Sequence, residues 1–322
     1  MVKFIHAADV HLGIMVAGVG KSQKEIAREL KQAAFDAFER VIDTAIEEEV
    51  DALVLAGDLL DSSRTFVKEK CFLQSQLNRL APFGIPVVVA LGNHDAGSAY
   101  VSGKHIYTFG SAVETIEVET RNGERVAFSG FSYEVPVVAT RKVQEYPTKS
   151  ANCDIHIGVL HGELTTSQGR YAPFSIPELR EKGYDYWALG HIHTCQEVSS
   201  QPCAWYSGTT QGADRKESGP KGALLVEITP GNTPVVHLIE TSTMEWMDVE
   251  LALSDTARLE TLPYLIVEAL PNPSKRSLVT LHLQTQESIY SREDLKQLTQ
   301  VVNGLLEEKR SLVTVMSIRE QV

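Results

Sequence analysis

The chain has 322 residues, 43% of them hydrophobic and 22% charged, which is typical of a globular protein with one large or two ordinary domains. No run approaches the ~18 apolar residues of a membrane span, the N-terminus lacks a secretory signal pattern, and the four cysteines show no CxxC spacing. We therefore expect free thiols in a reducing cytoplasm, and the formal net charge of −12 argues against a protein that coats DNA tightly and non-specifically.

The first hundred residues alternate between short apolar runs and amphipathic segments. Residues 3–9 predict a strand, and apolar residues at helical spacing predict one long helix over 25–49. Residues 53–56 predict a strand buried on both faces, followed by a helix over 67–80 and a strand over 87–91. This βαβαβ order predicts parallel strands joined by right-handed crossovers.

The second half is richer in strands. A hairpin is predicted over 116–130 around Asn122-Gly123, the usual turn pair. Further strands are predicted at 155–160, 184–189, 195–199, 204–207, 222–228 and 234–240. We expect an α/β protein in which two mixed sheets pack face to face with helices outside.

After about residue 243 the pattern changes. Strands are predicted at 246–253, 277–283 and 311–318, and helices at 255–266 and 291–308. We therefore predict two domains, one over 1–245 and a small α+β domain over 246–322.

Polar residues stand at or just after the ends of five predicted strands, where ligands bind in open α/β sheets. They are Asp9, His11, Asp58, Asn93, His161, His191 and His193. Each motif has an ordinary explanation by itself: a Gly-Asp turn, an Asx turn, two alternating strand residues, or a structural histidine. The order, spacing and strand-end placement of all of them together indicate a metal centre.

The residue types indicate which metals and which chemistry. Carboxylate, imidazole and amide oxygen without thiolate suit Mn²⁺, Fe²⁺ or Zn²⁺. Two such ions form a clamp for phosphoryl transfer and lower the pKa of a shared water. Their mutual repulsion requires a bridging anion, for which Asp58 is the natural candidate. We assign His94, which follows Asn93, to phosphate contact and protonation of the leaving oxygen.

Taken together, Asp9-x-His11, Gly57-Asp58, Gly92-Asn93-His94-Asp95, His161 and Gly190-His191-x-His193 resemble the motif series of the calcineurin-like metallophosphoesterases, over about residues 1–240. The resemblance implies two mixed sheets sandwiched between helices. It also implies one metal on Asp9, His11, Asp58 and His193, and the other on Asp58, Asn93, His161 and His191. His94 would be the general acid or phosphate-orienting residue, and Asp95 would position it.

Four sequence segments around these motifs are similar to the corresponding segments of DNA repair exonucleases of the SbcD/YhaO type. They are residues 8–13, 57–63, 160–162 and 206–211. This likeness implies Mn²⁺-dependent 3′–5′ exonuclease activity, with endonuclease cleavage as a further activity, and a C-terminal domain that caps the site and grips DNA. It also implies a homodimer and a coiled-coil SbcC-type ATPase as partner. Several relatives, however, carry His where this chain has Asp61.

Two alternatives stay open: a phosphodiesterase or phosphatase for smaller nucleotide substrates, and a scaffold that only binds partners. For the DNA hypothesis, nine basic residues are candidates to line a phosphate-backbone track, although any of them could be an ordinary solvated charge. They are Arg64, Lys68, Lys104, Arg121, Arg141, Lys142, Arg215, Lys216 and Lys221.

Overall fold

The structure, a computed structural model, describes residues 1–14, 24–61, 67–97, 101–253, 260–285 and 290–321. These residues form two compact units. Within the described residues, the first unit comprises 1–14, 34–61, 67–97, 101–211 and 221–242, and the second comprises 24–33, 212–220, 243–253, 260–285 and 290–321.

The first unit contains two mixed six-stranded sheets. In sheet one, β1, β2, β3 and β4 run parallel to one another. On the other side of β1, β11 pairs antiparallel with β1, and β12 pairs antiparallel with β11. Its strands are β1 (Val2–Ala7), β2 (Ala52–Ala56), β3 (Val87–Ala90), β4 (Ile106–Thr108), β11 (Gly222–Ile228) and β12 (Val235–Glu240).

Sheet two has the order β5-β6-β7-β8-β10-β9. The four central strands are parallel, and each edge strand is antiparallel to its neighbour. Its strands are β5 (Glu114–Glu119), β6 (Arg125–Gly130), β7 (Ile155–His161), β8 (Tyr186–Gly190), β9 (Gln196–Ser200) and β10 (Cys203–Tyr206).

Three hydrophobic layers hold the first unit together. The layer between the sheets includes Phe4, Val54 and Ile157, all fully buried. Outside sheet one, Phe38 of α1 (Lys24–Glu47) and Leu73 of α2 (Val67–Asn78) pack against the strands. Outside sheet two, a third layer of buried side chains includes Leu179 of α3 (Ile176–Lys182). The predicted architecture, two mixed sheets sandwiched between helices, is therefore confirmed.

The second unit is built on a three-stranded parallel sheet in the order β13-β14-β15. Helices follow the first two strands, and their apolar faces pack on the sheet. The elements are β13 (Met244–Ala252), α4 (Leu262–Ala269), β14 (Arg276–Gln284), α5 (Arg292–Glu308) and β15 (Val313–Gln321). In the same unit, Leu30 and Ala33 from the first part of α1 pack with Trp246 and Leu278.

Most predicted elements are present within a few residues of their predicted ends. The helix predicted over 255–266 lies instead at Leu262–Ala269, and positions 254–259 fall outside the described residues. Two short elements were not predicted, β4 and α3. The latter begins at a capping box formed by Ser175 and Glu178.

The predicted domain boundary between residues 245 and 246 stays a prediction. The compact units divide the chain differently: the last segment of the second unit begins at Thr243, and residues 24–33 and 212–220 also belong to that unit. None of the described helices is long and apolar enough to cross a membrane.

Close packing between β7 and β8 makes Gly158 sensitive to a small change outside the metal centre. A Cβ there would overlap the ring of Trp187, which is fully buried. We expect Gly158→Ala to lower the free energy of unfolding by about 1–3 kcal/mol through overpacking. Gly304→Ala is the opposite-sign control, since a Cβ at this position in α5 meets open space and alanine favours helix by about 1 kcal/mol. Urea unfolding would measure both, and equal effects would contradict the packing described here.

Candidate metal centre

The parallel strands bring the predicted donors to one edge of the first unit. Asp9 and His11 follow β1, Asp58 follows β2, and Asn93 follows β3. From the second sheet, His161 ends β7, and His191 and His193 follow β8. Because these strands run parallel within each sheet, their carboxyl ends, and the loops that follow, meet on the same side.

The backbone is strained where the donors stand. Asp9, His11, Asp58 and His191 have φ of 50°, 48°, 53° and 100°. They are four of the seven non-glycine residues with positive φ in the described part of the chain. Such conformations are uncommon for residues with a Cβ and persist where the surrounding structure enforces them, often at functional sites.

One group of donors comprises Asp9, His11 and His193, whose ligand atoms lie within 4.8 Å of one another. His11 Nε2 is 3.1 Å from His193 Nε2, and each is 3.9 Å from Asp9 Oδ1. Two imidazole nitrogens facing each other beside a buried carboxylate require a proton or a metal cation between them. The group therefore fits a divalent ion.

A second group comprises Asp9, Asp58 and His161. His161 Nδ1 lies 3.0 Å from the carbonyl oxygen of Ala56, which can only accept a hydrogen bond. One proton is therefore on Nδ1, so Nε2 is the nitrogen that can offer its lone pair to a metal once its own proton has left, the usual arrangement for a histidine ligand. Nε2 lies 3.3 Å from Asp58 Oδ2 and 3.0 Å from Asn93 Oδ1. Without the Nε2 proton, three acceptors would converge here, and either that proton or a metal cation is needed between them.

The two groups are linked through both carboxylates. Asp9 belongs to each group, while Asp58 Oδ2 lies 3.8 Å from His11 Nε2 and 3.3 Å from His161 Nε2. Asp58 thus stands between one histidine of each group, as a bridging ligand would. Six of the seven predicted donors are brought together in this way.

The seventh, His191, has a different position. Its backbone N–H donates to the Asp9 carboxylate at 3.0 Å, and its ring lies 5.3 Å from the His161 ring and 4.7 Å from the Tyr171 ring. The His191 side chain is adjacent to the second group, but its ring belongs to neither of the two donor groups.

Burial and charge shift the pKa values of these residues in opposite directions. Burial raises the pKa of Asp9 to about 6 and lowers those of His11 and His191 to about 4. Burial would also lower the pKa of His161, but the charges of Asp58 and Asp9 and hydrogen bonds raise it to about 9. Burial alone would raise the pKa of Asp58, but His161 holds it well below its usual range. The metal-free protein therefore keeps a proton between Asp58 and His161.

His94 and Asp95 occupy opposite sides of their loop. The His94 side chain is 46% exposed, its Nδ1 is 3.7 Å from Asp61 Oδ1, and its backbone N–H donates to Asp58 Oδ1 at 2.8 Å. Asp95 is fully buried, and its carboxylate accepts hydrogen bonds from the backbone N–H groups of Leu59, Leu60 and Gly92. These bonds fix the loops that carry Asp58 and His94, so Asp95 acts through the backbone.

Glycines give the donors their space. A Cβ at Gly92 would overlap Asp58, and one at Gly57 would overlap the His161 ring. A Cβ at Gly190 would overlap the carbonyl oxygen of Ala56, which holds His161. These three glycines are therefore required by close approach, and Gly57, with φ of 96°, also by its backbone conformation.

Sequence reasoning did not identify three residues that support the donors. The Tyr133 hydroxyl donates to the carbonyl of His161 at 3.0 Å. Thr209 Oγ1 donates to the carbonyl of Asp9 at 2.7 Å, and Lys221 Nζ donates to the carbonyl of His193 at 3.3 Å. The one sequence feature that pointed to any of them was the position of Thr209 within the 206–211 segment that resembles the SbcD/YhaO-type exonucleases. Contacts between residues so far apart in sequence leave no local pattern.

Four of the nine residues of the predicted basic track already have polar partners within the protein. Lys221 is buried at 5% exposure, Arg141 pairs with Glu178, and Arg121 donates to backbone carbonyls at positions 49 and 50. Lys142 pairs with Glu145, and Arg64 lies outside the described residues. Lys221 is therefore an interior hydrogen-bond donor and not a surface charge, and a track through the other candidates stays a prediction.

Comparison with known proteins now decides the family. The model of the calcineurin-like phosphoesterases matches residues 2–195, a span that contains all seven predicted donors. The chain belongs to this family. It is therefore a metallophosphoesterase, a hydrolase of phosphoester bonds, in a family that uses two divalent metals. Its Asp/His groups are compatible with such a pair.

Curated relatives give the nearest context. The chain is 38% identical over 237 residues to the uncharacterized metallophosphoesterase YhaO of Bacillus subtilis, covering 71% of this chain and 58% of YhaO. It is 30% identical over 269 residues to the DNA double-strand break repair protein Mre11 of Haloferax volcanii, covering 78% and 55%. The chain thus spans a little over half the length of the curated relatives it matches.

Among solved structures, a dimetal phosphatase from Danio rerio aligns with a TM-score of 0.46 at 12% identity, covering 74% of this chain and 96% of that one. A likeness of this size carries no conclusion about substrate.

Metal uptake by this centre is expected to release protons. At pH 7.5 the metal-free His161 is protonated because its pKa is about 9, and a metal on Nε2 must displace that proton, about one per protein. The apparent metal affinity should therefore fall as the pH is lowered below 9, and more steeply near 6, where Asp9 also takes up a proton.

Calorimetric titration with Mn²⁺ in buffers of different ionisation enthalpy would count the released protons. His161→Ala should lose both the proton release and most metal binding. His156→Ala is the matched control, since His156 is also buried on β7 but bonds Ser129 away from the centre. Metal uptake without proton release in the parent protein would contradict the pKa described for His161.

Proposed function

We propose that the protein is a two-metal-dependent DNA exonuclease of 3′–5′ polarity, with endonuclease cleavage as a further activity, acting in DNA repair or end processing. One observation carries the metal chemistry: six donor residues, two of them buried carboxylates, converge at one place. The nucleic-acid substrate rests on the 30% identity to a relative named as a DNA double-strand break repair protein.

The centre would hold the metals on named residues. Asp9, His11 and His193, with Asp58, would hold one ion, and Asp58, Asn93 and His161, with His191 beside them, the other. When bound, the ions neutralise charge on the phosphoryl oxygens and lower the pKa of the attacking water; Mn²⁺ is our first expectation, with Fe²⁺ or Zn²⁺ as alternatives.

The residues of the chain supply orientation and a proton. Asp95 holds the loops after β2 and β3 together, which places His94 at the exposed mouth of the centre, its ring 5.0 Å from the His11 ring. His94 would protonate the leaving oxygen, since general acids act at hydrogen-bond reach of the departing atom. Asp61, 3.7 Å from His94 Nδ1, would orient the His94 ring.

The wider assembly is part of the proposal. The second unit would act as the capping domain over DNA, the active form would be a homodimer in the cytoplasm, and a coiled-coil SbcC-type ATPase would be the protein partner. The resemblance of the sequence motifs to the SbcD/YhaO-type exonucleases motivates these expectations, and the chain covers 55% of the length of the Mre11 relative.

A second candidate is a phosphodiesterase or phosphatase for a smaller nucleotide substrate. The observation that favours it is electrostatic: the net charge is −12, and several basic residues of the expected track already have protein partners. A small substrate does not need the extended basic surface that duplex DNA requires.

Digestion of DNA labelled at either end would test the substrate. With Mn²⁺ we expect stepwise shortening from the 3′ end, lost with EDTA and strongly reduced by added salt, because phosphate contacts release counterions. Bis-p-nitrophenyl phosphate is the comparison substrate, and an Asp58→Ala protein is the control for contaminating nuclease. Hydrolysis of only the small ester would reject the nuclease in favour of the second candidate.

Changing His94 separates metal binding from turnover. We expect His94→Ala to keep two metals per protein but to reduce turnover by about 10²–10⁴-fold, the usual contribution of a general acid. Metal content by mass spectrometry and initial rates on either substrate would measure this. His105→Ala is the matched control, since His105 is half-buried and bonds the carbonyl of Leu77. Unchanged turnover in His94→Ala would remove His94 from the mechanism.

A further inference from the structure

The segment that follows β10 lies between two of the ligand-bearing loops of the first unit. Within it, Thr209 is 2% exposed and bonds both loops at once. Its Oγ1 donates to the carbonyl of Asp9 at 2.7 Å, and its backbone N–H donates to the carbonyl of His193 at 3.3 Å. Asp9 and His193 are members of the same donor group, so one residue fixes the distance between two ligands that are 184 positions apart in sequence.

The neighbours of Thr209 hold it against these loops. Gly222 N–H donates to the Thr209 carbonyl at 3.2 Å, which ties the residue to the start of β11. Gly208, with φ of 74°, lets the chain approach closely, because a Cβ there would stand 2.7 Å from the backbone nitrogen of Cys195. Lys221 adds a second donor to the His193 carbonyl.

Asp9 has particular need of such a tether. Its φ of 50° is unfavourable for a residue with a Cβ, and its carboxylate is buried beside that of Asp58. A hydrogen bond to its carbonyl from an oriented hydroxyl opposes relaxation of that conformation. His193, by contrast, is 32% exposed on its side chain, so its carbonyl contacts restrain a ligand that packing holds only in part.

The two members of the second donor group that the first group does not share, Asp58 and His161, are held by different contacts. His161 is fixed by Ala56 and Tyr133, and Asp58 by the backbone of His94. Loss of the Thr209 hydroxyl should therefore disturb the group of Asp9, His11 and His193 more than the contacts between Asp58 and His161.

We propose that Thr209 is a positioning residue that sets the affinity of one of the two metal positions, the one formed by Asp9, His11 and His193. This rests on the proposed two-metal function. Supporting contacts of this kind affect metal affinity by about 10–100-fold.

The chain provides a closely matched control one residue away. Thr210 is fully buried, and its Oγ1 has no hydrogen-bond partner among the described residues. Thr210→Val therefore removes a hydroxyl of the same kind from the same segment without removing a bond, and should be neutral or stabilising. Thr209→Ser keeps the hydroxyl and should retain affinity.

Equilibrium dialysis of the full chain against stepped concentrations of free Mn²⁺, with bound metal counted, would test the proposal without substrate. In Thr209→Val we expect one of two binding steps to weaken about 10–100-fold and the other to change much less. The electron paramagnetic resonance signal of coupled Mn²⁺ pairs should then give way to that of single ions at intermediate concentrations. Thr209→Ser and Thr210→Val should match the parent protein.

Several outcomes overturn the proposal. Unchanged affinities in Thr209→Val would do so, as would equal weakening of both steps, or a loss in Thr210→Val as large as in Thr209→Val. Should Thr209→Val fail to fold, Thr209→Ala measured beside Thr209→Ser replaces it under the same criteria. A parent protein that binds fewer than two ions would instead defeat the two-metal function itself, which separates the two failures.

Discussion

The structure depends on a local electrostatic conflict that only cations resolve. Asp9 and Asp58 are both buried, and imidazole nitrogens lie 3.3–3.9 Å from their oxygens, with the amide oxygen of Asn93 3.0 Å from His161 Nε2. Buried charges without partners are costly by several kcal/mol each. The protein offsets part of this by protonating His161, but a single proton cannot satisfy both donor groups. A pair of divalent ions is the simplest solution, and it is the one that the family uses.

The rest of the first unit holds these donor residues in their positions. Parallel strands of two different sheets deliver the donors, and four of them adopt strained left-handed backbone conformations. Gly57 and Gly92 allow strand-end loops to approach side chains more closely than any other residue would permit. Asp95 and Thr209 then fasten these loops to one another through backbone hydrogen bonds. The strain is therefore distributed over rigid elements, which suits a site that must be preorganised for phosphoryl transfer.

Part of the negative net charge of the chain lies at the metal centre. Two of its negative charges belong to the metal centre, and a bound ion pair would cancel more than they contribute. Among the basic residues of the first unit, Arg141 and Lys142 pair with Glu178 and Glu145, so the positive charge of these two residues is offset locally.

Much of this arrangement was determined by the sequence alone. The apolar runs at 53–56 and 87–91 predicted buried parallel strands, and the donors that follow them indicated the site, because strand ends meet at one edge wherever strands are parallel. Short elements such as β4 and α3 were missed because three to seven residues carry too little periodicity to stand out from turns.

Only the tertiary structure decided the relations between distant residues. It showed that Lys221 is buried and donates to the carbonyl of His193, that the ring of His191 lies outside both donor groups, and that the Asp95 carboxylate accepts hydrogen bonds from the backbone of the neighbouring loops. It also brought Thr209 between Asp9 and His193. The physical reason is that burial, hydrogen-bond partners and pKa shifts come from contacts between residues such as His193 and Lys221, 28 positions apart, or Asp9 and Thr209, 200 positions apart. Neither local spacing nor composition records such contacts.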